Sequence, residues 1–298
     1  MARYHTLPPT EQVYQSHVPA KYIGFSIEKY FVSRFSYQSE QEWMALIREG
    51  RVTVNGQTAV VGVTLREHDK IVTRAGLRAE PPVNHQLEVI YEDRQIRIFN
   101  KSAPIPVHPS GRYFQNSMTE RLKEVYPDEV PRPIQRLDLG TTGVIVFART
   151  RQAAAFLMDQ FKSKNIYKEY LAIVEGTPRR EKFTIDTPIG KIKGSKRGVG
   201  ADLIGSKPAV TEVQWLSACK GRSLLKVIPR SGRTNQIRVH LASIGLPIMN
   251  DRIYGQEENA NLPIGLHAHR IRFKCFDNLL DVAAAEPAHF RSFRDGED

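Results

Sequence analysis

The chain has 298 residues, more than one average domain holds, and its 43 Lys plus Arg against 32 Asp plus Glu leave a formal charge of +11. That balance favours a polyanionic partner over an acidic small molecule, and no apolar stretch approaches the roughly 20 residues that cross a bilayer, so a membrane is not expected to be the partner. Cys219 and Cys275 stand far apart with no CxxC pair, which supports neither a disulfide framework nor a thiolate zinc site. The start MARYHTLPPTEQ lacks the basic-then-apolar pattern of a secretory signal, so a soluble, cytoplasmic protein is expected.

Residues 1–23 carry Pro8, Pro9 and Pro19 with no sustained periodicity and read as an extended arm. Ile27, Tyr30, Phe31 and Phe35 have helical spacing, and Trp43, Leu46 and Ile47 repeat it one helix later, where Ser39 with Glu42 makes a capping box and Gly50 supplies the stop. The segment 51–61 reads as a hairpin around Asn55-Gly56, a pair suited to a type I′ turn. Residues 24–75 thus form a small compact module. Its Lys29, Arg48 and Arg51 either line a nucleic-acid surface or are ordinary solvated charges, and the first reading is favoured because the module is too small for a catalytic pocket.

Residues 76–86, with Pro81-Pro82, read as a linker, and 87–298 as a second domain. Strands are expected at 87–90, 96–99, 144–148, 168–174, 210–216 and 223–228, and helices at 117–125, 151–163 and 233–244. Adjacent strand pairs outnumber βαβ patterns, so the fold class is α+β with a mixed, largely antiparallel sheet. Alternation along 168–174 puts Tyr170, Ala172 and Val174 on one face. In the last helix Ile237, Leu241 and Ile244 make a buried stripe with Arg238 beside it. Lys191, Lys193, Lys196, Arg197 and Lys207 fall in a Gly-rich segment that reads as a flexible hairpin loop, either following a phosphate backbone or simply solvated. His267 and His269 share one side of a presumed strand but lack a third ligand, so no metal is assigned to them.

The segment 133–149, PIQRLDLGTTGVIVFAR, runs from a polar loop into an apolar strand, a setting in which loops over a sheet edge build sites. Taken alone, Asp138 reads first as a turn former bonding backbone amides. However, QRLDLGTTG resembles the HRLDxxTSG signature of the RluA-like family of RNA pseudouridine synthases, with Gln135, Gly140 and Thr142 departing from the pattern. In the same order, NKSAPIPVHP at 100–109, YKEYLAIVEG at 167–176, SGRTNQIRVHLASIGLPIMNDRIYG at 231–255 and GLHAHRIRF at 265–273 resemble further segments of that family, with Ser102, Asn235 and Asn250 as departures. The module ending in IREGRVTVNG resembles an S4 RNA-binding domain.

The resemblance implies a pseudouridine synthase that isomerises specific uridines in structured RNA, ribosomal RNA favoured over transfer RNA, as a monomer with no cofactor. It makes Asp138 the nucleophile, Arg238 its salt-bridge partner, Tyr170 the aromatic lining the pocket and Arg136 the residue that helps flip the nucleotide out. A cation beside Asp138 is expected to favour its ionised form. Lys29, Arg48, Arg51, Lys193 and Arg197 are the expected RNA contacts. Isomerisation needs no redox partner, water or group donor, in keeping with a sequence that has no Walker loop, no strand-linked GxGxxG and no metal cluster. The competing readings are a non-catalytic RNA-binding protein and an RNA N-glycosylase, which would release free uracil.

Overall fold

The computed structural model describes residues 4–35, 38–163, 166–255 and 263–296. The chain divides into two compact units, one of Thr6–Pro82 with Ser110–Phe114, the other of Met1–His5, Val83–Pro109 and Gln115–Asp298. The elements in chain order begin with β1 (Tyr4–His5), β2 (Thr10–His17), α1 (Ile27–Arg34), α2 (Glu40–Arg48), β3 (Val52–Val54), β4 (Gln57–Thr58), β5 (Lys70–Arg78) and β6 (Val83–Asn84). They continue with β7 (Leu87–Glu92), β8 (Ile96–Lys101), α3 (Met118–Val125), β9 (Arg132–Pro133), β10 (Thr142–Ala148), α4 (Arg151–Lys162), β11 (Tyr167–Glu175) and β12 (Lys182–Asp186). The last are β13 (Ile189–Lys193), β14 (Lys196–Val199), β15 (Ile204–Lys207), β16 (Val210–Cys219), β17 (Arg222–Pro229), α5 (Gln236–Ser243), β18 (Leu266–Cys275), β19 (Asn278–Ala283) and α6 (Ala288–Asp295).

In the smaller unit, α1 and α2 bury Tyr30, Phe31, Trp43 and Ile47 with Val52 and Ile71 from the sheet. Phe31 and Trp43 stack with centroids 4.4 Å apart. The Ser39–Glu42 capping box is formed in both directions, and Asn55-Gly56 turns the hairpin with φ of 51° and 85°. The sheet order is β2-β5-β3-β4. This corrects the reading of residues 1–23 as an arm, because β2 pairs antiparallel with β5 from Thr10↔Arg78 to His17↔Lys70. It also shortens the expected linker, since β5 runs on to Arg78. The polar sequence TEQVYQSH of β2 buries only Gln12 fully, so its hydrophobic alternation is too weak to announce a strand that pairs nearly sixty residues away.

In the larger unit, ten strands form one sheet in the order β12-β16-β17-β11-β18-β10-β8-β7, with β19 paired to β18 and β9 to β10. Every pairing but β10 with β18 is antiparallel, so the α+β fold with a largely antiparallel mixed sheet is the one observed. The parallel pair matters for the site. A side chain at Gly143, where φ is +106°, would bring its Cβ to 2.2 Å from the Ala268 carbonyl oxygen, so only glycine lets β10 run beside β18 there. The two largest of its core clusters lie around Ile98, Val146, Leu157 and Phe273, and around Ala172, Val174, Leu225 and Leu241.

Two further expectations change. Helix α5 starts at Gln236, not 233, and is buried on all sides from Gln236 to Leu241, whereas Ile244, expected in the buried stripe, is 45% exposed. The basic Gly-rich segment is not a flexible loop but a three-stranded antiparallel sheet, β14-β13-β15. Gly190 and Gly198 leave room there for Leu203 and Ile192, whose atoms lie 2.4 and 2.6 Å from where a Cβ would be. Among the described residues no helix is long and apolar enough to cross a membrane.

Candidate active site

Asp138 lies on the turn between β9 and β10, closed by the Thr141 N–H donating to the Asp138 carbonyl at 3.1 Å. The turn is fastened from below by Lys101 at the end of β8. Its buried ammonium donates to the carbonyls of Ser102, Leu139 and Thr141 at 3.0, 3.2 and 2.8 Å. Burial pushes the Lys101 amine down, to about 7 even with the nearby Asp138 carboxylate pulling it up. The three carbonyls favour the ammonium further, because only that form donates to all of them.

Arg238 reaches the same turn from α5. Its Nε and Nη2 form a fork on Asp251, 2.7 Å to each carboxylate oxygen, and its Nη1 donates to Asp138 Oδ2 at 2.6 Å. Asp251 is itself 1% exposed and also accepts the backbone N–H groups of Ile253 and Tyr254. The fork therefore fixes the guanidinium plane, and a fixed plane leaves one nitrogen aimed at Asp138. Burial alone would lower the arginine's pKa; the bonds and charges of Asp251 and Asp138 outweigh it and raise it. The Asp138 side chain keeps 39% of its surface accessible, so one face of the carboxylate remains open to a ligand.

Tyr170 lies on β11 where the register with β18 shifts between Glu169 and Tyr170. It is half-buried and packs with Ala172 and Val174 on one face, while Leu171 and Ile173 take the other. Burial first, and then the charge of Asp138, push its phenol up to about 12, so the ring is a neutral aromatic beside the carboxylate.

Asp138, Tyr170 and Arg238 thus meet in one place. Arg136 is exposed two residues before Asp138, and His108, whose pKa is lowered by burial and by the Arg136 charge, neighbours it. The remaining basic residues belong to other elements. In the smaller unit Arg48 is exposed, and Lys29 sits over the Phe25 ring at 4.6 Å. Arg51 is half-buried against Gly76, with Glu49 at 3.6 Å. Lys193 is exposed at the tip of the three-stranded sheet, but the Arg197 guanidinium is folded back on the Gly194 and Lys196 carbonyls. His267 is fully buried, with its Nδ1 2.8 Å from Thr142 Oγ1 across the parallel strand pair, so its part is structural.

Sequence reasoning missed Lys101, Asp251 and Tyr254. The signal was there in part, because Lys101 falls in the matched segment 100–109 and Asp251 and Tyr254 in 231–255, but nothing in the sequence said which groups each would hold.

This arrangement agrees with the comparisons to known proteins. Residues 95–243 match the family described as RNA pseudouridylate synthase. The chain is 32% identical over 257 residues to the mitochondrial tRNA pseudouridine(32) synthase of Saccharomyces cerevisiae, covering 85% of this chain and 55% of that protein. It is 31% identical over 286 residues to an uncharacterized RNA pseudouridine synthase of Synechocystis, covering 90% of this chain and 88% of that one. Among solved structures, human RNA pseudouridylate synthase domain containing 1 superposes with a TM-score of 0.60 at 25% identity, over 70% of this chain and 86% of that chain. The chain belongs to the RluA-like family of RNA pseudouridine synthases.

Proposed function

We propose that this protein isomerises uridine to pseudouridine in structured RNA, with Asp138 as the nucleophile. The observation that carries the reading is the Asp138 carboxylate, open on one side and paired on the other with an arginine whose remaining nitrogens are locked by Asp251. A nucleophilic carboxylate must be ionised and held still, and this pairing supplies both conditions.

The reaction breaks the bond from N1 to C1′, turns the uracil while it stays trapped, and joins C5 to C1′ with loss of the C5 proton. Asp138 attacks C1′ or C6, or removes a ribose proton on the way to a glycal; each route needs the same carboxylate. Tyr170 stacks on the uracil, and Arg136 fills the gap left in the RNA after the nucleotide flips out, a step costing a few kcal/mol. Water has to be kept from the intermediate, because hydrolysis would leave an abasic site. No cofactor enters, and the enzyme works as a cytoplasmic monomer.

The smaller unit, with its two helices and hairpin, is read as an S4-like RNA-binding domain using Lys29, Arg48 and Arg51, and the basic three-stranded sheet adds Lys193 and Arg197. An S4-like module favours ribosomal RNA. A transfer RNA substrate is the second reading, because the yeast relative is named for position 32 of tRNA.

Transcripts of ribosomal and transfer RNA carrying uridine tritiated at C5 test this directly. Release of tritium without free uracil supports a synthase. Free uracil would mean a glycosylase, and no release from any transcript would leave a binding protein.

A further inference from the structure

Behind Arg238, the ring of Tyr254 lies under the guanidinium, with 5.1 Å from Cζ to the ring centroid. Its hydroxyl has an unusual set of partners. The backbone N–H of Arg197, on β14, donates to it at 3.0 Å, and Asn235 Nδ2 donates to it at 2.9 Å. The orientation of the Asn235 amide is fixed by its other end, because Oδ1 accepts from Arg238 Nη1 at 3.5 Å and an arginine has only donors. A backbone N–H is likewise only a donor. Both lone pairs of the tyrosine oxygen are therefore taken, and its own proton must go to a different acceptor. Among the described residues none accepts it. The side chain is half-buried, and Asn235 links its hydroxyl to the same Arg238 nitrogen that donates to Asp138.

We propose that Tyr254 contacts the substrate, donating its hydroxyl proton to an oxygen of the extruded nucleotide, a uracil carbonyl or a ribose hydroxyl. This rests on the reading of the site as a pseudouridine synthase. Asn235 is what frees the proton: a side chain presenting an acceptor at that position would take the proton for itself. Tyr254 is thereby a recognition residue for the reacting nucleotide, tuned by a neighbour that departs from the family motif.

Tyr254→Phe keeps the ring under Arg238 and removes only the hydroxyl. With the C5-tritiated transcript on which the wild type is active, the single-turnover rate at saturating enzyme falls about tenfold, the factor one such hydrogen bond commands. Affinity for the same RNA, measured in the inactive Asp138→Asn background with and without Tyr254→Phe, stays within about twofold because phosphate contacts dominate it. An unchanged rate overturns the proposal. So does a loss of affinity that matches the loss of rate, which would make the hydroxyl merely a tie between β14 and α5. A wild type that releases no tritium, or an Asp138→Asn protein that still does, removes instead the reading on which the proposal rests.

Discussion

Asp251 shows how much of this site is set by side chains that support the residues named for the chemistry. It holds two nitrogens of a buried arginine, so Asp251→Asn puts a neutral group against them and leaves Asp138 as the only carboxylate bonded to the guanidinium. Breaking such a pair costs about 3–5 kcal/mol. We expect a urea midpoint lowered accordingly and a reduced turnover, because Nη1 is no longer aimed; an unchanged midpoint would mean that the fork contributes nothing. The sequence made Asp138, Tyr170 and Arg238 readable because they stand in segments whose order and content match one family. Lys101 and Asp251 stand in matched segments as well, but their roles were not readable, since those are defined by carbonyls and a guanidinium that only the folded chain assembles around them.

At the level of elements, the parallel pairing of β10 and β18 ties the strand that follows the Asp138 turn to β18 through Thr142 and His267. Burial holds His267 down from 6.5 to about 4. Between these values the unfolded chain binds a proton that the folded one does not, so this stability is present above pH 6.5 and is lost as pH falls through about 4. Its size is about 3 kcal/mol, and unfolding in urea across that range should show a shallower pH dependence in His267→Gln than in the wild type. Equal slopes would remove His267 from the account. Six of the ten strands of the large sheet were legible, as in the alternation of Tyr170, Ala172 and Val174, whereas β9, β12 and β19 were not. The small basic sheet was not: its glycines read as loop, whereas Gly190 and Gly198 make room for side chains that cover it. Its exposed Lys191, Lys193 and Lys196 make a clean test. Changing all three to Gln should weaken RNA binding and lower the slope of log affinity against log salt, by roughly 0.7–0.9 for each phosphate no longer neutralised. A slope that stays the same would show them to be solvated charges.

On the scale of the whole molecule, each unit is packed around buried residues of its own. The core of the smaller unit rests on Trp43, 1% exposed and stacked on Phe31, and Trp43→Ala should cost that unit about 3–5 kcal/mol. Because Asp138, Tyr170 and Arg238 all lie in the other unit, the substitution is expected to raise the RNA concentration needed for half-maximal rate and to spare the rate at saturation. A fall at saturation with no change in affinity would reverse the assignment. The boundary between the units was blurred in the sequence for a topological reason: β2 and the loop Ser110–Phe114 join the smaller unit from outside the span that carries its helices. All of this depends on one carboxylate, and the most direct measurement is tritium release from C5-labelled RNA by the Asp138→Asn protein. The account predicts that release disappears while RNA affinity stays within about twofold of the wild type, since removing one negative charge leaves every phosphate-binding cation in place. Turnover that survives the substitution would contradict it.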